Sequence, residues 1–169
     1  MNGSWKRPKL HIPKTTSERI SDIIGYGVWS ASIALLIFVW NDLPDQVPAH
    51  YNFAGEVDRW GAKYELLILP AISLLLAVMM QIFEKYPETH NYPSRLNEDN
   101  AEAFYRLSRK LCNQVKNICL FLFAITQYES IAIALGWSMQ GIGPWFFLLF
   151  IGGTMIPVAI ALVKQRKIQ

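Results

Sequence analysis

The sequence predicts an all-α integral membrane protein, a four-helix bundle with both termini cytoplasmic and an ordered outer loop between its first two helices. Three observations carry this. Apolar residues make up 52% of the chain and charged residues only 17%, against roughly a quarter charged in an ordinary soluble domain. The apolar residues gather in four runs, Ile23–Trp40, Leu66–Phe83, Ile118–Leu135 and Trp145–Val163, of 18, 18, 18 and 19 residues, and a single charge, Glu129, falls inside them. At about 1.5 Å per residue each run reaches about 27 to 29 Å, the thickness of a bilayer's hydrocarbon. The third observation is where the sixteen basic residues fall.

Residues 1–22 form a basic tail with Lys6, Arg7, Lys9, Lys14 and Arg19. The first run, about 23–40, is too long for a secretory signal and has no small-x-small cleavage site after it, so it is an anchor. An outer segment, 41–65, leads to the second helix, about 66–83. Segment 84–117 carries Lys85, Arg95, Arg106, Arg109, Lys110 and Lys116. Helices three and four follow, about 118–135 and 145–163, and 164–169 adds Lys164, Arg166 and Lys167. Fourteen bases thus alternate with two, Arg59 and Lys63, which places the tails and the central segment inside by the positive-inside rule. Trp40, Trp60, Trp137 and Trp145 all fall at the outer side, where an indole satisfies both its ring and its N–H. The net charge of +3 reflects this orientation and attraction to anionic lipid, and implies no nucleic acid.

Segment 43–63 is the most informative part of the chain. Pro44 and Pro48 force extended backbone around them, and Gly55 suits a tight turn, so an ordered lid is expected, with Tyr51, Phe53 and Trp60 seating it among headgroups. His50, Asp45, Asp58 and Glu56 are types that hold metals or move protons. They serve equally as turn caps and ion-pair partners of Arg59 or Lys63, and their spacing does not choose. No nucleophile or paired-acid arrangement is visible, so neither an enzyme nor a resident cofactor or metal is expected.

Glu129 sits about 12 Å below the outer interface, where an isolated carboxylate costs about 2.5–3.5 kcal/mol. It must be protonated, paired or wet. One reading has it meet Arg59 or Lys63 beneath the lid, in a polar belt with Thr126, Gln127, Tyr128 and Ser130; the other has it bond Ser32 or Ser73 and fix packing. Cys112 and Cys119, seven apart on one helix, are about 10 Å from each other and cannot form a disulfide.

On the inner side Asn97-Glu98-Asp99-Asn100 reads as a helix start, and Phe104, Leu107, Leu111, Val115 and Ile118 follow at helical spacing. Helix three then begins before the membrane, with Arg106, Arg109, Lys110 and Lys116 facing lipid phosphates or a cytoplasmic protein. Helices two and four carry Pro70 and Pro157, Gly152-Gly153 stands just before the latter so that helix four is expected to bend or pack closely, and Gly27 with Ala31 offers a small-residue face for a homo-oligomer.

The pattern Leu43-Pro44-Asp45, Pro48-x-His50-Tyr51-Asn52, Gly55, Asp58-Arg59-Trp60 and Lys63 resembles the signature of the membrane family known as domain of unknown function 1648. Pro93-x-Arg95 and Asn100 resemble its continuation. The same domain stands at the front of SdpI-type immunity proteins, which carry further helices beyond it. The resemblance implies a bacterial cytoplasmic-membrane protein that protects against a secreted peptide toxin, senses it through the outer loop and holds a cytoplasmic regulator. Its ligand-binding or structural residues would be Pro44, Asp45, Pro48, His50, Asn52, Gly55, Asp58, Arg59, Trp60 and Lys63, with Glu129 beneath. A small transport component using Glu129 and an outer-face metal-dependent enzyme are the alternatives.

Overall fold

Thr15 starts the first helix inside what reads as tail. Its side chain accepts from the Glu18 backbone N–H while the Glu18 carboxylate accepts from the Thr15 N–H, a reciprocal cap that satisfies two of the orphan donors at a helix start. In this computed structural model, which describes residues 6–139 and 141–169, α1 therefore runs Thr16–Val39. Residues 1–5 of the basic tail lie outside the described residues. After α1 come β1 (Gln46–Tyr51), β2 (Val57–Ala62), a 3-10 segment Lys63–Leu67, α2 (Ile68–Lys85), α3 (Ala101–Ala134) and α4 (Pro144–Arg166). Four helical stretches are long and apolar enough to cross a membrane, Thr16–Val39, Lys63–Lys85, Ala101–Ala134 and Pro144–Arg166.

The all-α expectation needs one correction, because residues 46–62 form an antiparallel two-stranded sheet. Pro48 disfavours a strand, yet in a two-stranded hairpin both strands are edges, and an edge strand tolerates a missing N–H. The ladder is irregular around His50, which shifts its pairing to Arg59. Asn52 closes the turn: its backbone N–H donates to Glu56 O at 2.9 Å, and its side-chain oxygen accepts from the Glu56 N–H at 3.0 Å. Gly55 takes φ +79°, a conformation that suits glycine.

At 34 residues α3 is the longest helix, and α1, α2 and α4 all pack on it. Asn100 precedes it without capping its backbone, because its side-chain oxygen instead accepts from the Asn97 N–H. α1 and α2 are tied by hydrogen bonds from Trp29 Nε1 to Ser73 Oγ (2.7 Å) and from Tyr26 to Gln81 (2.6 Å). At one end of the bundle Leu36, Val39, Leu43, Val47, Leu66 and Ile131 form a buried apolar cluster that fastens the hairpin to the helices. At the other, Leu96, Ala101, Phe104 and Tyr105 form a second, against which Ile12 and Ile168 pack. Arg7 donates to the Glu88 and His90 carbonyls and Arg95 to those of Gln165 and Ile168, so both chain ends and the α2–α3 connection share that end.

The small-residue face of α1 lies open, and a different glycine makes the close contact to α3. Gly27 and Ala31 are exposed and a methyl at Gly27 would meet open space, whereas a methyl at Gly25 would lie 2.4 Å from Asn117 Oδ1 of α3. Gly25 is where α1 and α3 approach closely. Gly25→Ala is expected to lower the thermal midpoint, and Gly27→Ala to leave it level or raise it through the better helix propensity of alanine. Paired melting curves of the two purified variants check this. In α4, Pro157 lies inside the helix, and a methyl at Gly153 would press on Ile118 of α3 at 3.2 Å.

Candidate functional site

The hairpin is seated from three sides. Lys63 places its ammonium 5.2 Å from the Trp40 ring centre at the end of α1, Tyr51 shares a 2.9 Å hydrogen bond with Ser130 of α3, and Phe53 stacks on Phe147 of α4 at 5.5 Å. Tyr51 and Phe53 therefore tie the lid to the helices, while Phe53 and Trp60 each keep about half or more of their surface exposed. Burial pushes the Tyr51 phenol above its ordinary value, with the Ser130 bond opposing and the Glu129 charge adding to the rise. The hydroxyl stays protonated and available as a bond to α3.

Across the strands His50 Nδ1 lies 2.6 Å from Asp58 Oδ1, an exposed pair. Arg59 forks onto both Glu65 oxygens, at 3.2 and 2.7 Å, and also donates to Ala49 O, which locks β1, β2 and the 3-10 segment together. Of the residues that could hold a metal, only His50 and Asp58 are brought together. Glu56 accepts from Asn52 instead, and the Asp45 carbonyl accepts from the Lys63 N–H. Among the described residues no three His, Cys, Asp or Glu side chains come close enough to hold a metal ion.

Glu129 meets none of the expected partners. It accepts from the Ser138 hydroxyl at 3.1 Å, in the α3–α4 connection, because Arg59 is committed to Glu65 and Lys63 to Trp40. Nor does it reach the two serines of α1 and α2: Ser32 donates to Trp29 O, and Ser73 accepts from Trp29. The polar belt divides, with Thr126 bonded to the Leu122 carbonyl, Ser130 to Tyr51, Tyr128 exposed and Gln127 buried.

Beneath the hairpin lies a groove of about 410 Å³ between α2, α3 and α4. His50, Arg59 and Glu65 edge it, Thr126 and Ser130 supply a polar strip, and Leu66, Leu69, Ile142, Phe146 and Phe147 make up most of the remainder. A cleft of this size, mostly apolar with a few convergent polar groups, is the usual form of a ligand site. It collects Pro48, His50, Tyr51 and Arg59 from the signature but not Glu129.

Sequence reasoning missed a charged centre at the opposite end. Arg109 and Lys116 do not face lipid phosphates; they are 3% and 0% exposed. Arg109 forks onto Glu18 of α1 at 3.1 and 3.0 Å and also donates to the Ile12 and Pro13 carbonyls. Lys116 bridges Asp22 of α1 (2.9 Å) and Glu84 of α2 (2.6 Å). Lys14 bridges the same two acids from the other side at 2.7 and 2.6 Å, and Asn113 and Asn117 each donate to Asp22. Burial alone would lower the Lys14 pKa, but hydrogen bonds to Asp22 and Glu84 outweigh it and raise it, so Lys14 is charged at neutral pH. Only Arg106, paired with Glu102, is an exposed base of the expected kind, and Lys110 is half-buried.

Comparison with known proteins agrees with the hairpin's prominence. No solved structure matches this chain. An uncharacterized protein of Archaeoglobus fulgidus is 38% identical over 80 residues, which cover 44% of this chain and 42% of that relative, so the match spans less than half of either. Residues 28–74, from the middle of α1 through the hairpin and into α2, match the model of a domain of unknown function, DUF1648, and every hairpin signature residue lies inside that match.

Proposed function

We propose that this chain is a bacterial cytoplasmic-membrane protein, with the hairpin outside and both termini inside, that binds a cationic amphipathic peptide in the groove under the hairpin as a toxin sensor or immunity protein. The observation that carries the reading is the groove itself: an apolar cleft open beside α2 and α4, edged by polar groups of an ordered extramembrane lid. An amphipathic peptide matches that division, apolar side toward the helices and polar side toward the hairpin. Charge favours a cation. The hairpin and its flanks hold Asp42, Asp45, Glu56, Asp58 and Glu65 against Arg59 and Lys63, which attracts basic peptides to the mouth.

The same asymmetry supports this orientation, since fourteen of the sixteen bases lie on elements at the end opposite the hairpin. Glu129 supports the transport alternative less, because its partner Ser138 lies at the hairpin end rather than along a path between the helices. The separation of Glu56 and Asp45 from His50 and Asp58 likewise gives the metal-enzyme alternative little to build on.

The test is growth of a peptide-sensitive bacterium expressing the chain under challenge with cationic membrane-active peptides. Wild type is expected to raise the inhibitory concentration of at least one. Leu69→Trp, which fills the groove, and Arg59→Ala, which frees its edge, are expected to lose that protection at matched membrane abundance. Absence of protection against every peptide, with normal membrane insertion, would sink the reading.

A further inference from the structure

The charged centre at the end opposite the groove is built as an alternating ring. Asp22 gives one oxygen to Lys14 and the other to Lys116, and Glu84 divides its oxygens in the same way. The two lysines differ in how they are held. Lys116 projects from the long central helix and is wholly buried, whereas Lys14 belongs to an extended segment with no secondary structure, and its side chain is 29% exposed.

That segment is a strap. Arg7 pins one end to the Glu88 and His90 carbonyls, at 3.1 and 2.7 Å, and Arg109 pins the other through the Ile12 and Pro13 carbonyls. Beside it lies a cavity of about 310 Å³, with Leu10, His11, Ile12 and Lys14 of the strap on one side and Gln81 and Glu84 of α2 on the other. The cavity gives a route to the Lys14 face of the ring without any movement of the four helices.

We propose that Asp22 Oδ2 and Glu84 Oε2, beneath the strap of residues 7–14, form a site for a compact primary ammonium that Lys14 fills as a tethered occupant. Two carboxylate oxygens within 2.7 Å of one nitrogen are the geometry of a charge-assisted ammonium clamp. A multivalent metal is the wrong occupant. Lys116 already neutralises half of the carboxylate charge, and Lys85 and Arg109 also line the cavity. Withdrawing Lys14 leaves two carboxylates against one ammonium, a deficit of one positive charge, so the site calls for a monovalent cation. The strap thereby links occupancy of the ring to the position of the N-terminal segment. This inference does not rest on the peptide reading of the groove.

The test is chemical rescue in the full-length protein in lipid nanodiscs. Thermal unfolding of wild type, Lys14→Ala and Lys14→Ala/Glu84→Gln is followed against methylammonium chloride, with choline chloride holding ionic strength constant. Removing one partner of a partly buried ion-pair ring is expected to lower the midpoint of Lys14→Ala by several degrees. Methylammonium is expected to restore much of that loss saturably, while choline, too bulky for the gap, restores none. Wild type and the double variant should not respond. If Lys14→Ala does not accumulate, Lys14→Gln, whose neutral amide still donates a hydrogen bond, is titrated in its place. A lysine variant that melts like wild type, ignores methylammonium, or answers equally to choline overturns the proposal.

Discussion

Arg109→Leu is expected to destabilise the protein by about 3–5 kcal/mol, the scale for leaving one member of a buried ion pair alone. The guanidinium is 3% exposed and Glu18 is 1% exposed, so neither charge has water to fall back on. Arg109 also holds the strap through two backbone carbonyls, and Glu18 is the acid that caps α1. One substitution therefore loosens the strap, the start of α1 and the α1–α3 contact together. Removing the orphaned charge as well should recover much of the loss, so Glu18→Gln/Arg109→Leu is expected to be more stable than Arg109→Leu alone. Arg109→Lys should fall between wild type and Leu, because an ammonium cannot fork onto both carboxylate oxygens and reach two carbonyls. Thermal unfolding in nanodiscs, run on the four proteins together, measures all three expectations.

The four spans were legible because length and composition alone decide them: runs of 18 or 19 residues with one charge admit few other arrangements. The ion pairs of Arg109 and Lys116 were not. Their bases sit at helical spacing within an amphipathic stretch, the pattern of a surface that meets lipid headgroups. What overturns that reading is acids 91 and 32 positions away in sequence, on other helices. Glu18 and Asp22 in turn fell inside what reads as a basic tail, ahead of the first apolar run. Nothing local marks such a partnership; the one available hint was the surplus of polar side chains, Asn113, Lys116 and Asn117, on the face that packs inward.

The outer segment was legible as an ordered reversal, through Pro44, Pro48 and Gly55, but not as a hairpin. Its strands are six residues each, and Pro48 in the first argues against strand pairing. Glu129 failed for a related reason. Depth along a helix could be counted, yet which group it would meet depended on Arg59 having found Glu65 six residues on and Ser138 having folded back from the α3–α4 connection.

Gly55→Ala is the second substitution expected to act strongly, and a companion isolates its cause. At φ +79° any side chain costs roughly 1–2 kcal/mol, and a Cβ there would also lie 2.2 Å from the backbone nitrogen of Gly143. Backbone cannot step aside as a flexible side chain does. The obstruction is mutual in its geometry, since a Cβ on Gly141 would lie 1.8 Å from the Gly55 carbonyl oxygen. The hairpin turn and the connection into α4 thus meet backbone to backbone, on either side of Ile142, which lines the groove. Gly136 is the matched control: it has φ +72° but nothing within 4 Å of its Cβ position. Gly136→Ala should suffer only the conformational penalty, whereas Gly55→Ala should also lift the turn from α4, adding about 1–3 kcal/mol of strain or lost packing. Hydrogen exchange at residues 52–56 separates the two outcomes, with faster exchange expected in Gly55→Ala alone. If the groove binds peptide only while the hairpin covers it, protection in the challenge assay should vanish with Gly55→Ala and survive Gly136→Ala. Equal loss in both would mean that the turn's contact with α4 contributes nothing specific to the site.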